Sequence, residues 1–385
     1  MISILNKERL IKLLVTTMFI SLALDMGGDF GIRNIVLPIC ALLLVSIFGI
    51  SFPKIAFLFF GLLVVYPSIL LLVGLLSNAD LSIATSQIKS TVLAFLIYIL
   101  VFHIPYEVST KALLFSLFLV ALLAIGLAIG LIFDFNFVTS FLSSMAEMKG
   151  GYFGARATGY DATIPNVYFK ATLFFVPAFV YALFTRNYLM AFVFFTALIA
   201  AVSKTGIIVT GFIAMVYFIF NKNVRGAIIV SMLLIAAIVF IYNSPLFNLF
   251  ESVINDSKTV NVRQGHFESL ISLWSEYPLN LLFGFGLGTS FYSSGAGNFV
   301  SNIEIDHFNV IRKYGLFWSL VFFILVLSVA YTAMKNRQAK IRGMGWGLLF
   351  AFIVCGTNPV LISPLFFLFL FLTMSANHQS LIRGW

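Results

Sequence analysis

Apolar runs as long as a bilayer is thick recur along almost the whole of this 385-residue chain. Residues 55–76, 112–133, 226–242 and 316–332 approach or reach the roughly 20 apolar positions that a helix needs to cross a hydrocarbon core. A chain that is 61% hydrophobic and 10% charged has too few polar side chains to coat a soluble surface. The runs are near-continuous and lack the alternation of a transmembrane barrel, while backbone amides in lipid must be paired within their own segment. The sequence therefore predicts an all-α polytopic membrane protein, a single integral domain over residues 1–385. Spans are expected near 10–24, 35–52, 55–76, 83–102, 112–133, 166–184, 188–202, 206–220, 226–242, 316–332, 343–356 and 361–374, about twelve in all. Those at 10–24, 188–202 and 343–356 are short, either broken helices or helices continued by their polar flanks.

The basic residues give this layout a direction. With the N-terminus in the cytoplasm, Lys7, Arg9, Lys12, Lys54, Lys111, Arg186, Lys222, Arg225, Lys335, Arg337, Lys340, Arg342 and Arg383 all fall in cytoplasmic loops or tails. Only Glu8 and Glu107 oppose them there, leaving ten bases against twelve acids outside. The formal charge of +9 is thus a topology signal and gives no support to nucleic-acid binding, which would want a clustered soluble basic face. The basic leader before the first apolar run reads as a retained signal anchor rather than a cleaved peptide. Cys40 and Cys355 fall inside predicted spans, and their spacing matches no metal or redox motif.

Two outer segments interrupt the spans, at 134–165 and, much larger, at 243–315. Function is sought there because the cytoplasmic loops are too short to build a site. In the first, Arg156 precedes a glycine turn and the Pro165 that opens the next span. Two readings of it stand: a fork for a lipid-linked phosphate, or a partner for Asp161 or headgroups. Between two short spans, Ser203-Lys204-Thr205-Gly206 sets a cation near the outer leaflet, facing a cavity or snorkelling to the interface.

In the larger segment, Phe267, Leu270, Ile271 and Trp274 recur at three- and four-residue steps, predicting an amphipathic helix on the membrane surface. Arg263 shares a face with Phe267, aimed at a buried anion or paired with Glu268 or another acid. Gly284-Phe285-Gly286-Leu287-Gly288 lacks the strand and helix of a nucleotide-binding unit, so it reads as a tight backbone turn. Asp306-His307 stands just ahead of Asn309, Arg312, Lys313 and Gly315. His307 has the chemistry of a general base there, with Asp306 or Glu304 to orient it; a structural histidine is the other reading.

Taken in order, Arg156 with Gly159 and Pro165-Asn166, then Ser203-Lys204-Thr205-Gly206, Arg263, Pro278, the glycine run and His307-Phe308-Asn309 before Gly315 resemble the O-antigen polymerase and O-antigen ligase superfamily. The motifs lie within residues 150–330, and the layout of twelve spans with a late outer loop extends the resemblance over the whole chain. It implies a GT-C-like membrane glycosyltransferase, inverting and independent of metal or other cofactors. Its donor would be an undecaprenyl-diphosphate-linked oligosaccharide at the periplasmic face of a bacterial inner membrane, with both termini cytoplasmic. Membrane lipids and, as a further candidate, a polysaccharide chain-length regulator are the other implied partners. His307 and Arg263 are the catalytic residues so implied, and Arg156, Lys204, Arg263 and Arg312 the diphosphate-binding cations. The superfamily commonly has arginine where Ser203-Lys204 stands, so a point charge replaces a bidentate fork at that position. Within the superfamily, polymerases tend toward extreme hydrophobicity and Phe enrichment, so by this analogy the resemblance, in a chain with 45 Phe, implies a polymerase over a ligase that transfers glycan to lipid A core. A transporter or flippase is the alternative of another class, although carriers set paired ionisable groups at mid-membrane, and charges here sit in loops and at helix ends.

Overall fold

The computed structural model describes residues 4–26, 31–49, 54–133, 135–138, 140, 169–201, 203–220 and 257–383, with isolated positions 228, 232 and 235. It is a helical membrane protein. Among the described residues, four helices, Lys54–Leu76, Leu81–His103, Tyr106–Leu131 and Asp306–Met334, are long and apolar enough to cross a membrane. Further apolar helices, among them Ile32–Phe48 and Tyr188–Ala200, are shorter than 18 residues, so among the described residues helix length alone does not reach the twelve crossings expected. The span expected at 226–242 and most of the segment at 134–165, Arg156 included, lie outside the described residues.

In chain order the helices are α1 (Ile4–Leu24), α2 (Ile32–Phe48), α3 (Lys54–Leu76), α4 (Leu81–His103), α5 (Tyr106–Ile132), α6 (Phe175–Phe184), α7 (Tyr188–Ala200), α8 (Lys204–Phe220), α9 (Ser257–Glu276), α10 (Pro278–Phe283), α11 (Asp306–Met334), α12 (Ala339–Cys355) and α13 (Pro364–Arg383). They form two compact bodies, residues 1–116 with 259–385, and residues 117–258. In the second body, a 3-10 turn at Lys170–Phe174 leads into α6, and α6 packs against α7 and α8. Ser203 is buried at the turn between α7 and α8, its N–H donating to the Leu198 carbonyl at 3.0 Å, so the polar interruption read from sequence is a tight helix-to-helix turn. Lys204 is the first residue of α8.

The first body is built around α13. Its residues 365–373 are buried on every side, which is what a helix apolar all round requires. Lipid tails are as apolar as leucine, so close packing rather than exclusion from water drives such contacts. The phenylalanines supply it: Phe371 meets Phe59 of α3 at 5.3 Å and Tyr98 of α4 at 5.1 Å, while Phe367 meets Phe322 of α11 at 5.5 Å. Helix α1 begins at Ile4, so its polar flank does continue the short first run. Helix α4 starts where the Asp80 carboxylate accepts the N–H groups of Ser82 at 2.8 Å and Ile83 at 3.1 Å, satisfying two orphan donors of its first turn.

Two breaks in helical geometry position the outer segment. Residues Gly61–Val65 of α3 form a π-helical turn, and the Leu62 carbonyl accepts from Trp318 Nε1 at 2.9 Å. Helix α11 kinks at Gly315, where φ is 80° and ψ 160°. Just before that kink, Arg312 and Lys313 offer their carbonyls to the N–H groups of Phe285, at 2.9 Å, and Gly286, at 3.3 Å. Gly284, Gly286 and Gly288 all have positive φ, and a side chain at Gly286 would strike the backbone of Gly74 and Leu70 in α3. Only glycine satisfies both conditions. The glycine run is therefore a backbone clamp wedged between α3 and α11, pinned further by the Leu287 N–H on the Leu70 carbonyl at 3.0 Å.

Candidate functional site

The segment from α9 to the kink of α11 is a small folded unit, and one part of it differs from the all-α expectation. Phe291–Ser293 and Asn298–Val300 form an antiparallel hairpin with Phe291 opposite Val300 and Ser293 opposite Asn298. Its strands are only three residues each, too short for period-two alternation to stand out from the surrounding apolar sequence. The Ser294-Gly295-Ala296-Gly297 turn was the available signal, with Gly297 at φ 66°. The hairpin also changes the role of α9. The apolar stripe predicted to face lipid packs on the hairpin instead: Leu270, Phe291 and Ile303 form a buried cluster with Leu273, Trp274 and Phe308 around it. Ile271, 47% exposed, points away from that cluster. Helix and turn meet backbone to backbone, since a methyl group at Gly265 would collide with Gly295.

His266 seals this junction. It is 5% exposed, and its Nδ1 is hydrogen-bonded to Ser293 Oγ. Burial lowers its pKa below the ordinary imidazole value, with the nearby Glu304 carboxylate pulling the opposite way. The fold therefore holds neutral histidine, and the sign of the pH dependence follows. Below about pH 6.5 the unfolded chain binds a proton that the folded chain resists, so stability is full above that value and falls as pH drops beneath it. Thermal unfolding of the outer segment is expected at lower temperature at about pH 5.5 than at about pH 7.5. His266→Gln should flatten that dependence; an unchanged slope would remove His266 from the account.

Arg263 is held by Glu304, an acid other than the neighbouring Glu268. Nε at 3.1 Å and Nη2 at 2.8 Å both donate to Glu304 Oε2, with the two side chains 40% and 45% exposed. Glu268 accepts instead from Gln264 Nε2 at 2.9 Å. Because both bonds go to one oxygen, from one edge of the guanidinium, Nη1 lies outside the pair.

Arg312 has a different setting. It is 1% exposed and lies 4.9 Å from the Phe291 ring centre. Nη1 donates to the Thr289 carbonyl at 3.1 Å and Thr289 Oγ1 at 3.2 Å; Nη2 donates to the Ser301 carbonyl at 2.7 Å and Asn309 Oδ1 at 3.2 Å. Both terminal nitrogens are thus engaged by neutral protein acceptors, which makes Arg312 the tie between the hairpin's flanks and α11 rather than an open fork. Beside it, Lys313 donates to Asn302 Oδ1. Asp306, 3% exposed, accepts the Leu361 N–H at 2.6 Å and the Asn309 amide at 3.4 Å. These residues form one buried polar network. Its signal in the sequence was the spacing of Asp306, Asn309 and Lys313, three and then four residues apart on one helical face.

His307 lies on another face of α11. Its ring sits 4.5 Å from Phe352 and 5.5 Å from Phe323, and Gly356 leaves the room the ring occupies. Neither Asp306 nor Glu304 is hydrogen-bonded to it, in contrast to the orientation expected from sequence, because the first is engaged by Leu361 and Asn309 and the second by Arg263. Nε2 is buried without a hydrogen-bond partner among the described residues. The structure thus brings Arg263 and Arg312 onto one folded unit and turns His307 toward α12. Lys204 belongs to the other body, and Arg156 lies outside the described residues. Asn302 and Thr289, which accept from Lys313 and Arg312, were not singled out from sequence, and Glu304, read there as an orienter of His307, holds Arg263 instead. Comparison of the chain with models of known protein families finds no match, and comparison with curated proteins finds none either.

Proposed function

We propose that this chain polymerises polyprenyl-diphosphate-linked glycans, moving the growing glycan from its lipid diphosphate onto a lipid-linked repeat unit at the outer face of a bacterial inner membrane. The distribution of Lys and Arg supports this orientation, with both termini in the cytoplasm and residues 243–315 outside. The observation that carries the reading is Arg263, half-exposed on the outer unit with one edge of its guanidinium fixed by Glu304 and Nη1 outside that pair.

In this mechanism a sugar hydroxyl of the acceptor attacks the anomeric carbon, and the bond from that carbon to the diphosphate oxygen breaks with inversion. Arg263 neutralises the charge that develops on the departing diphosphate. Donors already aimed at the leaving oxygens cost no reorganisation at the moment of transfer, which is why such a cation accelerates the step. His307 is assigned as the acceptor of the attacking hydroxyl's proton, a role that requires its Nε2, buried against α12 in this structure, to be reached by the acceptor sugar. Purified protein supplied with lipid-linked repeat unit alone tests the reading: a ladder of longer lipid-linked glycans is expected. A ligase would produce none without lipid A core, and a transporter would leave the substrate chemically unchanged.

A further inference from the structure

The buried network on α11 carries more positive than negative charge. Arg312, Lys313 and Asp306 are 1%, 6% and 3% exposed. Among the described residues neither cation forms an ion pair with Asp306, whose carboxylate is engaged by the Leu361 N–H and the Asn309 amide. Arg312 is held by neutral oxygens, and its Nε is buried without a partner. The Lys313 ammonium meets Asn302 Oδ1, and an ammonium has more N–H donors than that bond takes up. Charges this deeply buried are costly unless a counter-charge and hydrogen bonds accompany them. Asn302 is the exposed member of the network and marks where a ligand would enter.

We propose that Lys313, backed by Arg312 and opened to the outside through Asn302, is a binding subsite for one phosphate group of a lipid, separate from the Arg263–Glu304 pair. A phosphate oxygen entering beside Asn302 would accept the remaining ammonium donors and supply the missing negative charge. Two sources share that chemistry, a polyprenyl phosphate or diphosphate and an ordinary anionic phospholipid. Only the assignment of the first source rests on the proposed function.

The test uses full-length protein in detergent, titrated separately with undecaprenyl phosphate and phosphatidylglycerol, with binding read by native mass spectrometry. Wild type is expected to bind at least one of these about tenfold more tightly than Lys313→Gln, a loss of roughly 1.4 kcal/mol. Asn302→Asp places a repelling carboxylate at an exposed position, where folding is not at risk, and should weaken binding to a similar degree. Selective loss with undecaprenyl phosphate assigns the subsite to substrate, and selective loss with phosphatidylglycerol assigns it to a structural lipid. Equal binding by wild type and both variants overturns the subsite. Binding lost in Lys313→Gln while purified protein still extends glycan would remove its substrate role alone; binding retained by a wild type without turnover would instead remove the enzymatic reading.

Discussion

Arg263→Ala should eliminate long-chain glycan in cells while the chain itself accumulates at its normal level. The two halves of this expectation come from the same geometry. The Arg263–Glu304 pair is 40% and 45% exposed, and solvent-screened pairs of that kind contribute at most about 1 kcal/mol to stability. Removing the guanidinium therefore leaves the hairpin, α9 and the glycine clamp in place. On the proposed transfer its effect should be far larger, because a preorganised donor at a departing anion accounts for about 10²–10³ in turnover. Arg263→Lys keeps the charge but loses the planar fork that grips Glu304 with two nitrogens, so it should fall between wild type and alanine. Immunoblots for the chain and gel profiles of the glycan check both halves. Long-chain glycan persisting in the alanine variant would end the role of Arg263, and loss of the chain would make it structural.

Arg312→Met is expected to fail in the opposite way, by unfolding the outer segment. Methionine fills part of the volume but offers no donor to the Thr289 and Ser301 carbonyls or to Asn309 Oδ1. Each buried acceptor left without a partner costs about 1–3 kcal/mol, so the loss should be about 3 kcal/mol or more even after the buried cation is gone. The damage should be local. Thr289 and Ser301 flank the hairpin, whereas the core around α13 is held by aromatic packing that Arg312 does not touch. Limited proteolysis should cut within residues 257–305 while the spans remain protected, and Arg312→Lys should be intermediate. An Arg312→Met protein that resists protease like wild type would show that the network does not hold the unit together.

These two arginines also show what the sequence could and could not disclose. Apolar runs locate most described helices to within a few residues, because in lipid each helix must pair its own backbone and be apolar over its length. The end of the outer segment, read at Gly315, coincides with the kink in α11. The glycine run was readable as a turn, since positive φ is a local property; that it clamps α3 to α11 depends on Leu70 and Gly74, some two hundred residues away. The same limit applies to the cations. Arg263 and Arg312 look alike in the chain, yet one is fixed by Glu304 at the surface and the other is surrounded by carbonyls inside. The hairpin is what separates them: it was hidden in two three-residue strands, and it covers the face of α9 that periodicity assigned to lipid. For His307, sequence proximity to Asp306 suggested an oriented base, but neighbours on a helix point about 100° apart, and the two side chains serve different contacts.

The central claim is that cations of the outer unit hold a lipid diphosphate while its sugar is transferred. The most direct test is a single-turnover reaction of purified wild-type protein with lipid-linked repeat unit, following glycan length and polyprenyl diphosphate together by mass spectrometry. The account predicts one released polyprenyl diphosphate for every repeat joined, with both signals absent in Arg263→Ala. Intact repeat units with no diphosphate released, from protein shown to be folded, would contradict it.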